Sequence, residues 1–261
     1  MNCSITTRRT SLSLIAIALL PGTFTQAQQP PTRLTFDVAA IHRSKAEDRN
    51  GAIKGLPQGR GYVAQNIPVK LMISLMYKVP MRQIQGGPDW LNEDRYDVEA
   101  RTDASYSLDD LHLMYQNLLA DRFNLKFHIE TKEGPVYALT VDPPGSKMKL
   151  DDNPQDYSIP ITYSTDGSAI GRRVSMSYLS WWLGQHLQSD ERPVLDQTGL
   201  TGNYDFNLNF APVRPPGADA PETQLPSIFD ALKQQLGLKL HAERGPVEYL
   251  VIDHIDRPSE N

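Results

Sequence analysis

Leu125-Lys126-Phe127-His128-Ile129-Glu130 and Leu238-Lys239-Leu240-His241-Ala242-Glu243 are nearly one hexapeptide, written twice in a chain of 261 residues. In each, apolar side chains alternate with Lys, His and Glu, the period-two pattern of a strand with one covered and one wetted face. Each leads within a few residues to Gly-Pro-Val (Gly134-Pro135-Val136 and Gly245-Pro246-Val247), then to an apolar run ending at Asp142 or Asp253. Gly-Pro is a local turn signal, so each stretch predicts a strand hairpin. The returning strands, 136–141 and 247–252, are apolar almost throughout, as strands covered on both faces are.

Working outward, the repetition extends upstream. Arg95-Tyr96-Asp97-Val98 matches Asn203-Tyr204-Asp205-Phe206. Each pair follows a turn-rich stretch, Gly86-Gly87-Pro88-Asp89-Trp90-Leu91 or Thr198-Gly199-Leu200-Thr201-Gly202. Val69, Met72, Ile73 and Met76 make one helical stripe over 69–77. Met176, Leu179 and Leu183 make another over 176–187, with Ser175 as N-cap. A second helix follows in each case. Ser107 with Asp110 is a capping-box pattern ahead of Leu108, Leu111, Tyr115, Leu118 and Leu119. Ser227 with Asp230 opens 228–236 in the same way, and Gly237 stops it. The fold class is therefore α+β, with two internally repeated units, 28–150 and 151–261, each a small antiparallel or mixed sheet carrying two helices. Residues 36–41 read as one further strand, 51–61 as a glycine-rich loop and 143–157 as the connection between units. Residues 211–226, with five prolines, read as a Pro-rich insertion in the second unit.

Residues 1–27 read as a cleaved signal peptide. Arg8 and Arg9 precede the apolar run from Leu12 to Leu20, Pro21-Gly22 breaks it, and Thr25-Gln26-Ala27 offers a cleavage site. The run is shorter than the roughly 20 residues a bilayer needs. Thr7-Arg8-Arg9-Thr10-Ser11-Leu12 loosely resembles a twin-arginine signal, with ordinary secretion the simpler reading. Cys3, the only cysteine, lies in this segment, so the mature chain has no disulfide and no thiolate chemistry. It keeps 24 basic and 31 acidic residues, a net charge of −7 with histidine neutral. That balance argues against a nucleic-acid partner and against anionic lipid. The expected location is periplasmic or extracellular, with no transmembrane segment.

Motifs for chemistry are missing. The six histidines contain no His-Glu-x-x-His pair or other i,i+4 pairing, and His128-x-Glu130 and His241-x-Glu243 lack the Pro-Cys-x-x-Cys partner of zinc deaminases. No nucleophile elbow, phosphate loop or calcium loop is present, so no catalytic residue, metal site or cofactor is assigned. Two candidate faces for a partner or ligand remain. His128, Glu130, His241 and Glu243 form a titratable strand face, for which an ordinary solvated face is the simpler reading. Trp181 and Trp182 lie about 100° apart on one helix, so one of them sits at the edge of the core.

Gly86-Gly87-Pro88-Asp89-Trp90-Leu91, Arg95-Tyr96-Asp97-Val98-Glu99-Ala100 and Leu118-Leu119-Ala120-Asp121-Arg122-Phe123 resemble a large family of exported proteins of unknown function, expanded in soil acidobacteria. The resemblance continues through residues 196–206 and the tail 251–261, and implies no activity. Residues 228–238 with the expected closing hairpin also resemble the short N-terminal domain of secretins and TonB-dependent receptors, which implies protein–protein contact in the periplasm. The leading expectation is a non-enzymatic exported interaction module with an envelope protein or glycan as partner. The alternatives are an extracytoplasmic hydrolase of peptide or polysaccharide, and a carbohydrate-binding protein.

Overall fold

Neither hexapeptide turns back at its Gly-Pro. The computed structural model describes residues 33–45, 50–151, 159–164, 166–187, 192–211 and 224–259. In it, β6 (Lys126–Val141) and β12 (Leu238–His254) are single unbroken strands. They pair antiparallel along their length, with Gly134 opposite Gly245. Neither glycine has a positive φ. A Cβ on Gly134 would lie 3.0 Å from Val247 Cγ2, and one on Gly245 would lie 3.2 Å from Val136 Cγ2 and 3.3 Å from Leu195 Cδ1. The glycines are there to let side chains close over the strands, not to turn the chain. The expected hairpins are thus replaced by one long ribbon, and the closing hairpin behind the likeness to the secretin module is absent.

The chain divides into Met1–Arg33 and Leu34–Asn261, and every described element lies in the second part. The expected signal peptide and residues 212–223 of the Pro-rich insertion lie outside the described residues. The central sheet is completed by β4 (Ile84–Gly86), parallel to β12, and β10 (Val194–Asp196), parallel to β6. On one side is a sheet in the order β1 (Val38–Arg43), β5 (Arg95–Arg101), β3 (Gly61–Pro68), β2 (Ala52–Gly55). β2 falls inside the expected loop, held as a strand by its pairing with β3. The third sheet has the order β7 (Lys149–Leu150), β11 (Asn203–Asn209), β9 (Ser168–Ser175), β8 (Ile161–Tyr163). The architecture is mixed α+β with several small sheets and few helices.

The helices fall where the caps place them. α1 (Val69–Tyr77) follows β3, the short α2 (Trp90–Glu93) precedes β5, and α3 is Leu108–Arg122. In the later part of the chain, α4 (Met176–His186) follows β9, and α5 (Ile228–Ala231) continues as a π-helical turn, Leu232–Leu236. Ser107, Ser175 and Ser227 each accept the backbone N–H three residues on, satisfying a helix-end donor. Gly237 ends the last helix with φ 67°, where a Cβ would lie 2.2 Å from Gly145 O.

The Tyr-Asp pairs have one structural job in both outer sheets. β3 is irregular between Ala64 and Ile67, Asn66 takes φ 54°, and its N–H donates to Asp97 Oδ1 at 2.7 Å. In the other sheet Arg173 takes φ 50° and donates its N–H to Asp205 Oδ1 at 2.9 Å. Each aspartate thereby pairs a backbone donor that the bulge removes from the ladder.

Two apolar cores result, and each takes residues from one strand of the β6–β12 ribbon that lies far along the chain from most of its other members. The first combines β3, β5, α1 and α3 with Leu250, Ile252 and Ile255. The second combines β9, β11, α4 and α5 with Tyr137 and Leu139 of β6. An ion triad with a buried carboxylate and two exposed arginines closes the first: Asp94 accepts from Arg43 at 2.6 Å and from Arg257 at 2.7 Å, with Arg257 lying over the buried Trp90 ring.

Candidate functional site

The strand-face residues do not form one site. His128 hydrogen-bonds Asp253 at 2.8 Å, and Glu130 pairs with Lys132 at 2.6 Å. His241 lies 3.3 Å from Glu243, which accepts from Gln197. His241 is paired with Ala138, ten residues along β6 from His128. At a strand rise of about 3.3 Å per residue the two histidines are on the order of 30 Å apart. The hydrogen bond to Asp253 raises the pKa of His128, and Lys132 lowers that of Glu130, as exposed ion pairs do. The tryptophans divide: Trp182 is buried in the second core, stacked on His186 at 3.8 Å, while Trp181 is at the core edge.

Trp181 faces a cleft of about 610 Å³. Its lining comes from several parts of the chain. Ile53 and Lys54 come from β2, Leu56 to Gln58 from the turn after it, Tyr62 from β3, and Leu75 and Met76 from α1. α3 adds Leu108, Leu111 and His112, and the later part of the chain adds Ile159, Tyr178 and Trp181. Lys78 ties these parts together. It caps α1 in a left-handed conformation, reaches Asp109 of α3 at 3.0 Å and sits 5.9 Å from the Tyr178 ring.

His112 follows Leu108 by four residues and precedes Tyr115 by three, so it shares the apolar face of α3. Its ring lies parallel to Tyr62 with centroids 5.9 Å apart. Burial, then the nearby Lys78 charge, pushes its pKa down to about 4 against an opposing pull from Asp109. Burial raises the phenols too, Tyr178 to about 12 and Tyr62 further. At neutral pH these groups are uncharged. Two polar atoms of the lining, His112 Nδ1 and Trp181 Nε1, are buried with no hydrogen-bond partner. The cost of such an atom is about 1–3 kcal/mol.

Trp181 also lines a second, smaller cleft of about 300 Å³, with Ser180, Pro193, Val194 and Val247. Among the described residues no group of three or more His, Cys, Asp or Glu is placed to hold a metal ion. Nor, among them, is any helix long and apolar enough to cross a membrane.

His112, Tyr62 and Tyr178 were not among the residues singled out from sequence. The available signal was a histidine inside the best-marked apolar helix stripe, and a Tyr-x-x-Trp spacing that places two rings one helical turn apart.

Fold and site together define a mixed α+β protein with an apolar, aromatic cleft of a size suited to a small molecule. The chain belongs to the family described as Protein of unknown function (DUF3738), which matches residues 70–255. No curated protein and no solved structure matches it.

Proposed function

We propose that this is an exported, non-enzymatic binding module, built by internal duplication, whose ligand site is the aromatic cleft. One observation carries the reading: what the two halves share is scaffold, and what lines the cleft is not shared. The caps, the bulge aspartates and the long strands recur. Counting from the N-caps Pro68 and Ser175, Trp181 corresponds to Ser74, Tyr178 to Leu71 and Tyr62 to Ala169. Counting from Ser107 and Ser227, His112 corresponds to Leu232. Four rings present in one half only converge on one cavity. By the same logic the repeated His-x-Glu pairs belong to the scaffold.

The chemistry of the lining favours binding over hydrolysis. Among its described residues there is no serine, cysteine or carboxylate to act with His112. A sugar site would need more polar groups than this lining offers, so an apolar small molecule fits better than a glycan. Export rests on the N-terminal Arg-Arg, apolar run and Ala27 site.

The test is titration with N-phenyl-1-naphthylamine, an uncharged fluorescent apolar probe. The expected result is saturation at one site, lost in Ile159→Arg, a change at a half-exposed position of the cleft lining, and retained in His128→Ala. Loss of binding in His128→Ala with retention in Ile159→Arg would move the site to the ribbon.

A further inference from the structure

We infer that the cleft takes an uncharged, largely apolar small molecule with one neutral oxygen function, which hydrogen-bonds the hydroxyls of Tyr62 and Tyr178. This rests on the cleft being the ligand site and adds the chemistry of what enters it.

The polar atoms of the lining divide by whether anything can reach them. The orphaned nitrogens of His112 and Trp181 are sealed from solvent, and so from a guest as well. The two phenol oxygens are different. Neither Tyr62 Oη nor Tyr178 Oη hydrogen-bonds another described residue, and neither is shut off from solvent. Tyr62 is 6 % exposed. It lines the 610 Å³ cleft, but neither the 300 Å³ cleft nor a third of about 110 Å³ beside Lys78. What Tyr62 keeps open is therefore surface of the large cleft.

The two hydroxyls act as a pair across the two cores. Tyr62 belongs to the first core, and Tyr178 packs against the second. Tyr178 is near enough to help hold the proton on Tyr62, after burial and ahead of Asp109. Both phenols stay protonated at neutral pH, so each can donate one hydrogen bond and accept another. A wholly apolar guest would strip water from both oxygens and return nothing, which costs affinity. A guest oxygen seated between them replaces that water.

The remainder of the lining asks for an apolar, neutral body. Ile53, Leu75, Met76 and Leu108 supply aliphatic surface, and His112 and Trp181 supply rings. The only permanent cation of the lining is Lys54, which is exposed, and Lys78 beside the Tyr178 ring is already paired with Asp109. The burial and the Asp109 charge that disfavour a phenolate at Tyr62 act equally against a negative guest oxygen beside it.

The experiment is equilibrium dialysis of the whole protein against three probes of one size: 2-acetylnaphthalene, 2-ethylnaphthalene and 2-naphthoate. The ketone is expected to bind about fivefold or more tighter than the hydrocarbon, the increment of one hydrogen bond, and tighter than the anion. In the double variant Tyr62→Phe, Tyr178→Phe, which keeps both rings, the ratio of ketone to hydrocarbon affinity is expected to fall to about one. Its urea midpoint should match that of the unaltered protein, because neither hydroxyl has a partner within the fold. A lower midpoint would mean that the hydroxyls serve the fold and would overturn their assignment to the guest. An unchanged affinity ratio in the double variant would overturn it too. Equal affinity for ketone and hydrocarbon in the unaltered protein would overturn the oxygen claim while leaving the cleft as the site. Tightest binding of 2-naphthoate would overturn the preference for an uncharged guest, and failure of all three probes to bind would overturn the site itself.

Discussion

At His112, burial outweighs everything else that acts on the ring. Its folded pKa of about 4 lies below the ordinary value of 6.5, with the Lys78 charge pushing the same way and Asp109 opposing. Between those two values the unfolded chain takes up a proton that the folded chain refuses. Stability is therefore fully present above about pH 6.5 and declines as pH falls toward 4, by on the order of 3 kcal/mol from this residue. Burial lowers His186 as well, with the same sign. His128 has the opposite sign, because its raised pKa contributes below 6.5 and is lost as pH rises through the folded value. The contribution of His112 is isolated by replacing it with leucine, an apolar residue that does not titrate. In His112→Leu, urea midpoints measured from pH 4 to 6.5 should vary less with pH than in the unaltered protein. An identical slope would mean that His112 is not the buried neutral imidazole described.

The bulge aspartates illustrate how a single acceptor shapes an element. Asp97 and Asp205 each hold the N–H of a non-glycine residue at positive φ, a conformation with its own strain. Removing the acceptor leaves both the strain and an unpaired donor. Asp97→Ala and Asp205→Ala should each lower unfolding free energy by about 1–2 kcal/mol, and the Asn variants, which keep an acceptor, by less. Equal losses for Asn and Ala, measured by urea denaturation, would assign the effect to charge instead. Much of this level was legible in the sequence, because the Ser-x-x-Asp caps, the helix stripes and the strand alternation are local signals. The Gly-Pro hairpins failed because a glycine that permits close packing and one that permits a turn look alike until the partner strand is known. β2 was hidden for a related reason, since pairing with β3 and not its own composition makes it a strand. The cleft was least legible of all. Its lining comes from segments between Ile53 and Trp181, and of its four rings only Trp181 stands out in the sequence as a candidate for a ligand face.

At the scale of the whole molecule, the two cores are interlocked through the β6–β12 ribbon. The first core needs Leu250 and Ile252 from the far strand, and the second needs Tyr137 and Leu139 from the near one. Fragments 28–150 and 151–261, prepared separately, should each unfold without a cooperative transition, and mixing them should restore one. A cooperative transition in either fragment alone would show that a half is self-sufficient. Interlocking also makes the cleft, since Tyr178 and Trp181 meet Tyr62 and His112 only when both halves are in place. The most direct test of the account is the methyl spectrum of the protein carrying 13C-methyl methionine, with 2-acetylnaphthalene added stepwise. Met76 lines the cleft and Met148 does not. The account predicts that the Met76 methyl signal shifts and saturates at one equivalent bound while Met148 stays in place. A stationary Met76 signal under conditions where the probe is bound would contradict it.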